Sequence, residues 1–99
     1  MIKTRKLFVM PACDKCTAVK QYLEEKQIQF EDHNLTGEGM EEFRKYYPKV
    51  KEKVTRNEDG SLVIPIMLFL DSEENIVNFA NKIEEIKHII ENISLKDLR

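Results

Sequence analysis

The chain has 99 residues, of which 41% are hydrophobic and 34% are charged, and its formal net charge is -2. This length supports a single domain with one modest core, which we take as residues 1–99. Basic residues alternate with acidic ones, as in residues 49–53, so general nucleic-acid binding is not expected. No run approaches the ~20 apolar residues that a membrane helix needs, which argues against a membrane partner.

The N-terminus does not resemble a secretory signal. Its basic residues are followed only by the apolar residues 7–10 before Pro11, which is too short for a signal-peptide core. We therefore expect a cytoplasmic protein, which we take to be monomeric. Cytoplasmic thiols are mostly reduced, so a cysteine pair there is more often catalytic or metal-binding than structural.

The first predicted strand and helix flank the only two cysteines. Residues 7–10 are all apolar and predict a buried strand, which Pro11 ends. The amphipathic residues 17–27 predict a helix, with Cys13 at its entrance and Cys16 on its first turn.

A second strand and helix follow. Residues 28–32 alternate between apolar and polar, which predicts a half-buried edge strand. Thr36 is a candidate N-cap for the second helix. The apolar positions at helical spacing are Met40, Phe43, Tyr46 or Tyr47, and Val50. Pro48 is expected to end or bend this helix. Residues 51–61 are polar and contain a turn signal at 57–60, and either a helical extension or a small hairpin fits them.

The second half of the chain predicts a hairpin and a last helix. Residues 64–70 form the most apolar run and predict a strand. Pro65 lies at its start, where a sheet tolerates the absence of a backbone N–H. Residues 71–75 predict a tight turn and residues 76–79 the returning strand. A capping box over 81–84 then begins the last helix. Its apolar stripe is Ile83, Ile86, Ile90 and Ile93.

These elements predict an α/β fold with the order β-α-β-α-β-β-α and a frayed tail at residues 94–99. A right-handed crossover makes the first two strands parallel, and the last two form a hairpin. The result is one mixed four-stranded sheet with helices on both faces.

The cysteine pair has a spacing and a position that suit redox chemistry. Residues i and i+3 of a helical turn share a face, so Cys13 and Cys16 can close a disulfide. The free N–H groups and dipole of the helix favour a thiolate at Cys13, whose pKa we expect below the usual ~8.5. Lys15 favours the thiolate and Asp14 opposes it, so we expect no extreme shift.

The motifs at residues 11–16 and 63–65, with the element order over residues 5–93, resemble the glutaredoxin branch of the thioredoxin fold. The Pro-Ala-Cys-x-x-Cys motif is also similar to that of the glutaredoxin-like hydrogen donors of ribonucleotide reductase. The resemblance implies that Cys13 is the nucleophile and Cys16 the resolving thiol. It also implies that Pro65 is a cis-proline and that the backbone of Ile64 pairs with the substrate.

The resemblance implies a thiol–disulfide oxidoreductase that serves electron transport and cell redox homeostasis and holds no bound cofactor. A disulfide-bearing protein would be its substrate, bound at Ile64, Pro65, Ala80, Asn81 and Lys82. Family members usually have Gly-Gly after the fourth strand and an acidic contact to glutathione beyond it. Here Phe79-Ala80 and Asn81-Lys82 occupy these places, so glutathione and a reductase both remain open as electron donors.

Two other functions remain open. The cysteines could bind a metal or an iron–sulphur cluster, but they supply two ligands whereas structural zinc takes four. His33 and His88 do not have ligand spacing, so no metal site is predicted within one chain, although a dimer could combine four thiolates. A non-catalytic interaction module is the other alternative, and the intact cysteine pair argues against it.

Overall fold

The computed structural model describes residues 2–97, with side chains described through residue 92. The elements are β1 (Thr4–Val9), α1 (Asp14–Glu25), β2 (Glu31–Asn34), α2 (Gly39–Val50), β3 (Ile66–Leu70), β4 (Ile76–Ala80) and α3 (Ile83–Asp97). The predicted order β-α-β-α-β-β-α is confirmed.

The strands form one mixed sheet in the order β2-β1-β3-β4. Strand β1 is parallel to β2 and antiparallel to β3, and β3 is antiparallel to β4. The C-terminal ends of β1 and β4 therefore lie at the same end of the sheet as the N-terminal end of β3. That end carries the cysteine loop, Pro65 and the entrance to α3.

The two central strands are buried on both faces, which explains their continuous apolar runs. One face of the sheet packs against α1 and α3 through a first core of Leu7, Val9, Cys16, Val19, Leu23, Met67, Phe69, Ala80, Ile86 and Ile90. The other face packs against α2 through a second core of Phe8, Leu35, Phe43, Tyr46, Ile66, Leu68 and Leu70. The prediction of helices on both faces is confirmed.

The predicted limits of β1 are wrong at both ends: the strand runs from Thr4 to Val9, so it includes Lys6, whereas Met10 lies outside it and is 40% exposed. The Lys6 side chain is only 8% exposed, and its Nζ lies 2.6 Å from Glu31 Oε1 and 3.0 Å from Glu42 Oε2. These two carboxylates offset the cost of burying its charge. The charged Lys6 precedes the apolar run directly, so the sequence predicts the strand only from Leu7.

The predicted limits of β2 are wrong. The strand lies at Glu31–Asn34, not at residues 28–32. Ile28 and Phe30 are partly buried against the first core, but they lie in the connection that precedes the strand. Within the strand itself, His33 stacks on Phe8 with ring centroids 5.2 Å apart.

The ends of α2 also differ from the prediction. Its N-cap is Glu38, not Thr36, whose N–H and hydroxyl both donate to Asn34 Oδ1, at 2.9 and 2.6 Å. Pro48 lies inside the helix, which continues to Val50. Pro48 therefore does not end it.

Residues 51–62 contain elements of both predicted arrangements. The N–H groups of Lys51 and Val54 donate to the carbonyls of Tyr47 and Val50, which extends α2 by a turn, and a small hairpin follows from Thr55. Arg56 and Leu62 form an isolated antiparallel bridge around the turn at 57–60. Gly60 has a φ of 89°, which glycine adopts without strain. The Arg56 guanidinium also donates to the Tyr47 hydroxyl and so ties the hairpin to α2.

Helix α3 begins at Ile83 and is helical to Asp97, which includes most of the segment expected to be a tail. Residues 98 and 99, and the side chain of Ile93, lie outside the described part. The Asn81 side chain bonds to residues of the preceding hairpin and not to the helix, so the predicted Asn-led cap is wrong. Every helix in the described part of the chain is too short or too polar to cross a membrane.

Candidate active site

The first cysteine begins α1. Cys13 is the N-cap residue, and its backbone is extended, with a φ of -109° and a ψ of 109°. Its carbonyl accepts hydrogen bonds from the N–H and the hydroxyl of Thr17, at 3.1 and 3.2 Å. Its Sγ accepts a hydrogen bond from the Cys16 N–H at 3.1 Å, so the sulfur satisfies one of the free donors of the first turn. The same donor is placed to stabilise a Cys13 thiolate.

The two sulfurs have different access to solvent. Cys13 and Cys16 form a disulfide, with their Cα atoms 5.2 Å apart. Cys16 is 3% exposed and belongs to the first core, whereas Cys13 is half-buried at its edge. A disulfide of this kind offers one sulfur to an incoming group and shields the other.

The loop before the pair leaves Cys13 accessible. Pro11 and Ala12 are both exposed, and Ala12 has a φ of 54°, in the left-handed region that alanine seldom adopts. This turn redirects the chain from the end of β1 into the start of α1.

The proline motif lies at the same end of the sheet. The Ile64–Pro65 peptide bond is cis, as the resemblance implies. Phe8 pairs with Ile66 across β1 and β3, so Pro65 is level with the end of β1, from which the cysteine loop leaves. Cys13 and Ile64 are both partly buried against the first core.

A cavity of about 370 Å³ lies at this end of the sheet. It is lined by Lys15, Val63, Ile64, Pro65, Asn81, Lys82, Ile83 and Glu84. Lys15, which stands between the two cysteines in the sequence, is one of the lining residues, whereas neither cysteine is. Four of the five residues expected to bind substrate line it. The fifth, Ala80, does not line it and is buried in the first core.

The Asn81 side chain is engaged inside the protein. It is 2% exposed, and its Oδ1 accepts from the Thr55 N–H at 3.1 Å. Its Nδ2 donates to the carbonyls of Thr55 and Val63, at 2.7 and 3.1 Å. These contacts attach the two ends of the hairpin, Thr55 and Val63, to the entrance of α3. Sequence reasoning missed this role, because an asparagine after a strand is equally suited to capping a helix.

The strongest electrostatic cluster lies elsewhere, beneath α2 on the opposite face of the sheet. Hydrogen bonds from Lys45 and Lys6 lower the pKa of Glu42 to about 2. Burial opposes the charge on Lys6, but Glu31 and Glu42 outweigh it and raise the pKa of the Lys6 amine. Within the described residues, no group of three or more His, Cys, Asp or Glu side chains is arranged to hold a metal ion.

Comparison with known proteins agrees with this geometry. The family model for glutaredoxin matches residues 6–55, which is half of the chain and includes both cysteines and the elements from β1 to α2. No curated protein and no solved structure matches the chain. Glutaredoxins in general exchange thiols and disulfides, with glutathione or a reductase as the electron donor. The chain belongs to the glutaredoxin family.

Proposed function

We propose that this protein is a thiol–disulfide oxidoreductase that reduces protein or mixed disulfides through Cys13 and Cys16. The observation that carries the proposal is the unequal exposure of the pair at the start of α1. Cys13 is at the edge of the core with a backbone N–H on its sulfur, and Cys16 is enclosed. This arrangement suits an attacking thiolate and a second thiol held in reserve.

The reaction follows from these positions. In the reduced protein, the Cys13 thiolate attacks one sulfur of the target disulfide, forms a mixed disulfide and releases the other target sulfur as a thiolate. The Cys16 thiolate then attacks Cys13 Sγ, closes the Cys13–Cys16 disulfide and releases the second target thiol. The target gains two electrons, the protein loses two, and the released thiolates take protons from water.

The cavity lined by Lys15, Ile64 and Pro65 supports binding of an extended target chain. The N–H and C=O of Ile64 take part in no backbone hydrogen bond with any described residue, so they are free to pair with a substrate backbone. The apolar wall formed by Val63, Ile64, Pro65 and Ile83 can cover side chains next to the target cysteine. Lys82 is exposed at the same cavity and can attract an acidic group of the target.

The test is catalysed reduction of insulin by dithiothreitol, followed by precipitation of the freed B chain. The wild-type protein should accelerate the reaction, and Cys13→Ser should reduce it to the uncatalysed rate. Glu73→Gln is the control, because it changes an exposed side chain in the turn after β3, at the opposite end of the sheet. This variant should keep the wild-type rate.

Two outcomes would reject the proposal: no acceleration by the wild type, or full activity in Cys13→Ser. Replacing dithiothreitol with NADPH and either glutathione with its reductase or thioredoxin reductase then identifies the donor. Either donor fits a cytoplasmic protein whose disulfide is continually reduced again.

A further inference from the structure

We infer that Asn81 is a positioning residue that makes the site favour disulfides carried on a peptide backbone. The inference rests on the proposed function. It concerns how the peptide group between Val63 and Ile64 is held, and it assigns no chemical step to Asn81 itself.

Val63 and Ile64, the residues on the two sides of this peptide group, differ in their backbone hydrogen bonds. The Val63 N–H donates to the Thr55 carbonyl at 3.3 Å, and the Val63 carbonyl accepts from Asn81 Nδ2 at 3.1 Å. Both backbone groups of Val63 are therefore bound. Those of Ile64, the next residue, have no backbone partner within the described residues.

Peptide planarity connects Asn81 to the Ile64 N–H. The Val63 carbonyl and the Ile64 N–H belong to one planar group, and in a trans peptide they point in opposite directions. When Asn81 Nδ2 holds the carbonyl on one side of the chain, the N–H is fixed on the other side. Asn81 thereby sets the direction of the donor that would meet a carbonyl of the target.

Asn81 is itself held firmly enough for this task. Its side chain is 2% exposed and makes two further hydrogen bonds, both with the Thr55 backbone. Its Cα lies between the end of β4 and the start of α3, in the wall of the same cavity. The amide therefore links a rigid part of the fold to the otherwise irregular segment before β3.

The substrate preference follows from this geometry. A fixed N–H donor strengthens binding of any target that offers a peptide carbonyl beside its cysteine. It adds nothing for a disulfide that has no amide group. Asn81 should therefore change the ratio of the two reactivities, which a general loss of stability would leave unchanged.

The experiment uses pre-reduced full-length protein and single-turnover kinetics, so that no electron donor is needed. One probe is the disulfide dimer of acetyl-Gly-Cys-Gly-amide, and the other is bis(2-hydroxyethyl) disulfide. Oxidation of the Cys13–Cys16 pair is followed by quenching, alkylation and mass measurement. For Asn81→Ala we expect the ratio of the peptide rate constant to the small-disulfide rate constant to fall roughly tenfold, the scale of one oriented hydrogen bond.

Two controls keep the wild-type ratio if the inference is correct. Asn57→Ala removes an exposed amide from the tip of the same hairpin, and Val50→Ala weakens the protein in α2, away from the cavity. If Asn81→Ala does not fold, Asn81→Ser is measured in its place.

The outcomes are distinct. A lowered ratio in the Asn81 variant alone supports the inference. An unchanged ratio in a folded Asn81 variant, or an equal fall in Val50→Ala, overturns it while leaving the proposed function intact. If the wild type reacts with neither disulfide, the proposed function itself fails.

Discussion

The buried charge cluster beneath α2 yields a prediction about stability and pH. The Glu42 carboxylate is 19% exposed and contacts Lys6 at 3.0 Å and Lys45 at 2.9 Å. Its pKa falls from the ordinary 4.5 to about 2 in the folded protein. We predict that Glu42→Gln lowers the free energy of unfolding at pH 7, because the variant loses a charge that the fold stabilises.

The pKa shift of Glu42 sets an upper limit on this loss in the free energy of unfolding. The full shift corresponds to about 3 kcal/mol. Lys45 is 66% exposed, so solvent screens its share, and Lys6 keeps Glu31 as a partner in the variant. We therefore expect a loss of about 1–2 kcal/mol.

The pH dependence has a definite sign. The pKa of Glu42 is lowered by folding, so its contribution is complete above the unfolded-state pKa of 4.5 and is lost as pH falls towards 2. The difference between wild type and Glu42→Gln should accordingly shrink as pH is lowered through this range.

Urea unfolding at pH 7, 5 and 3.5 measures that difference directly. Glu41→Gln is the matched control, since Glu41 is the exposed neighbour in the same helical turn and forms no ion pair among the described residues. A difference between wild type and Glu42→Gln that stays constant from pH 7 to 3.5 would refute the assignment of the stability to this ion cluster.

Two further predictions concern packing, and urea unfolding at pH 7 tests both. In Gly39→Ala, the new Cβ would lie only 2.8 Å from the backbone nitrogen of Asn34. We therefore expect the free energy of unfolding to fall by about 1–3 kcal/mol. Gly37→Ala, whose Cβ would lie 4.0 Å from the nearest atom, should be nearly neutral, and equal effects would contradict the reasoning. Leu23→Ala empties a fully buried position and should cost about 2–5 kcal/mol, unlike Glu24→Ala on the exposed face of α1. A loss below 1 kcal/mol in Leu23→Ala would count against the first core as drawn.

The order of elements could be predicted because its signals are local. The apolar runs that become β1 and β3 are buried on both faces of the sheet, and burial of that kind leaves a continuous hydrophobic stretch in the sequence. The start of α1 could also be predicted, since the cysteine pair precedes an amphipathic segment and Cys13 is the N-cap of the helix.

The features that could not be predicted depend on contacts between distant residues. Lys6 is buried in β1 because Glu31 and Glu42 reach it from two other elements, and a single strand contains no sign of them. Ile28 and Phe30 alternate as a strand would, yet they pack against the edge of the first core from a connection.

The role of the Asn81 side chain was hidden for the same reason. Its hydrogen-bond partners lie 26 and 18 residues earlier in the chain. Nothing in residues 81–84 alone separates this role from that of a helix cap, because asparagine suits both.

Trapping the mixed disulfide tests directly whether Cys13 is the attacking sulfur. Reduced Cys16→Ser protein is mixed with a peptide disulfide and analysed by mass spectrometry after digestion. We expect one peptide attached to Cys13 in a stable adduct, because the thiol that would release it is absent. No adduct in this variant, with Cys16 carrying the peptide in Cys13→Ser instead, would contradict the assignment of Cys13 as the attacking sulfur.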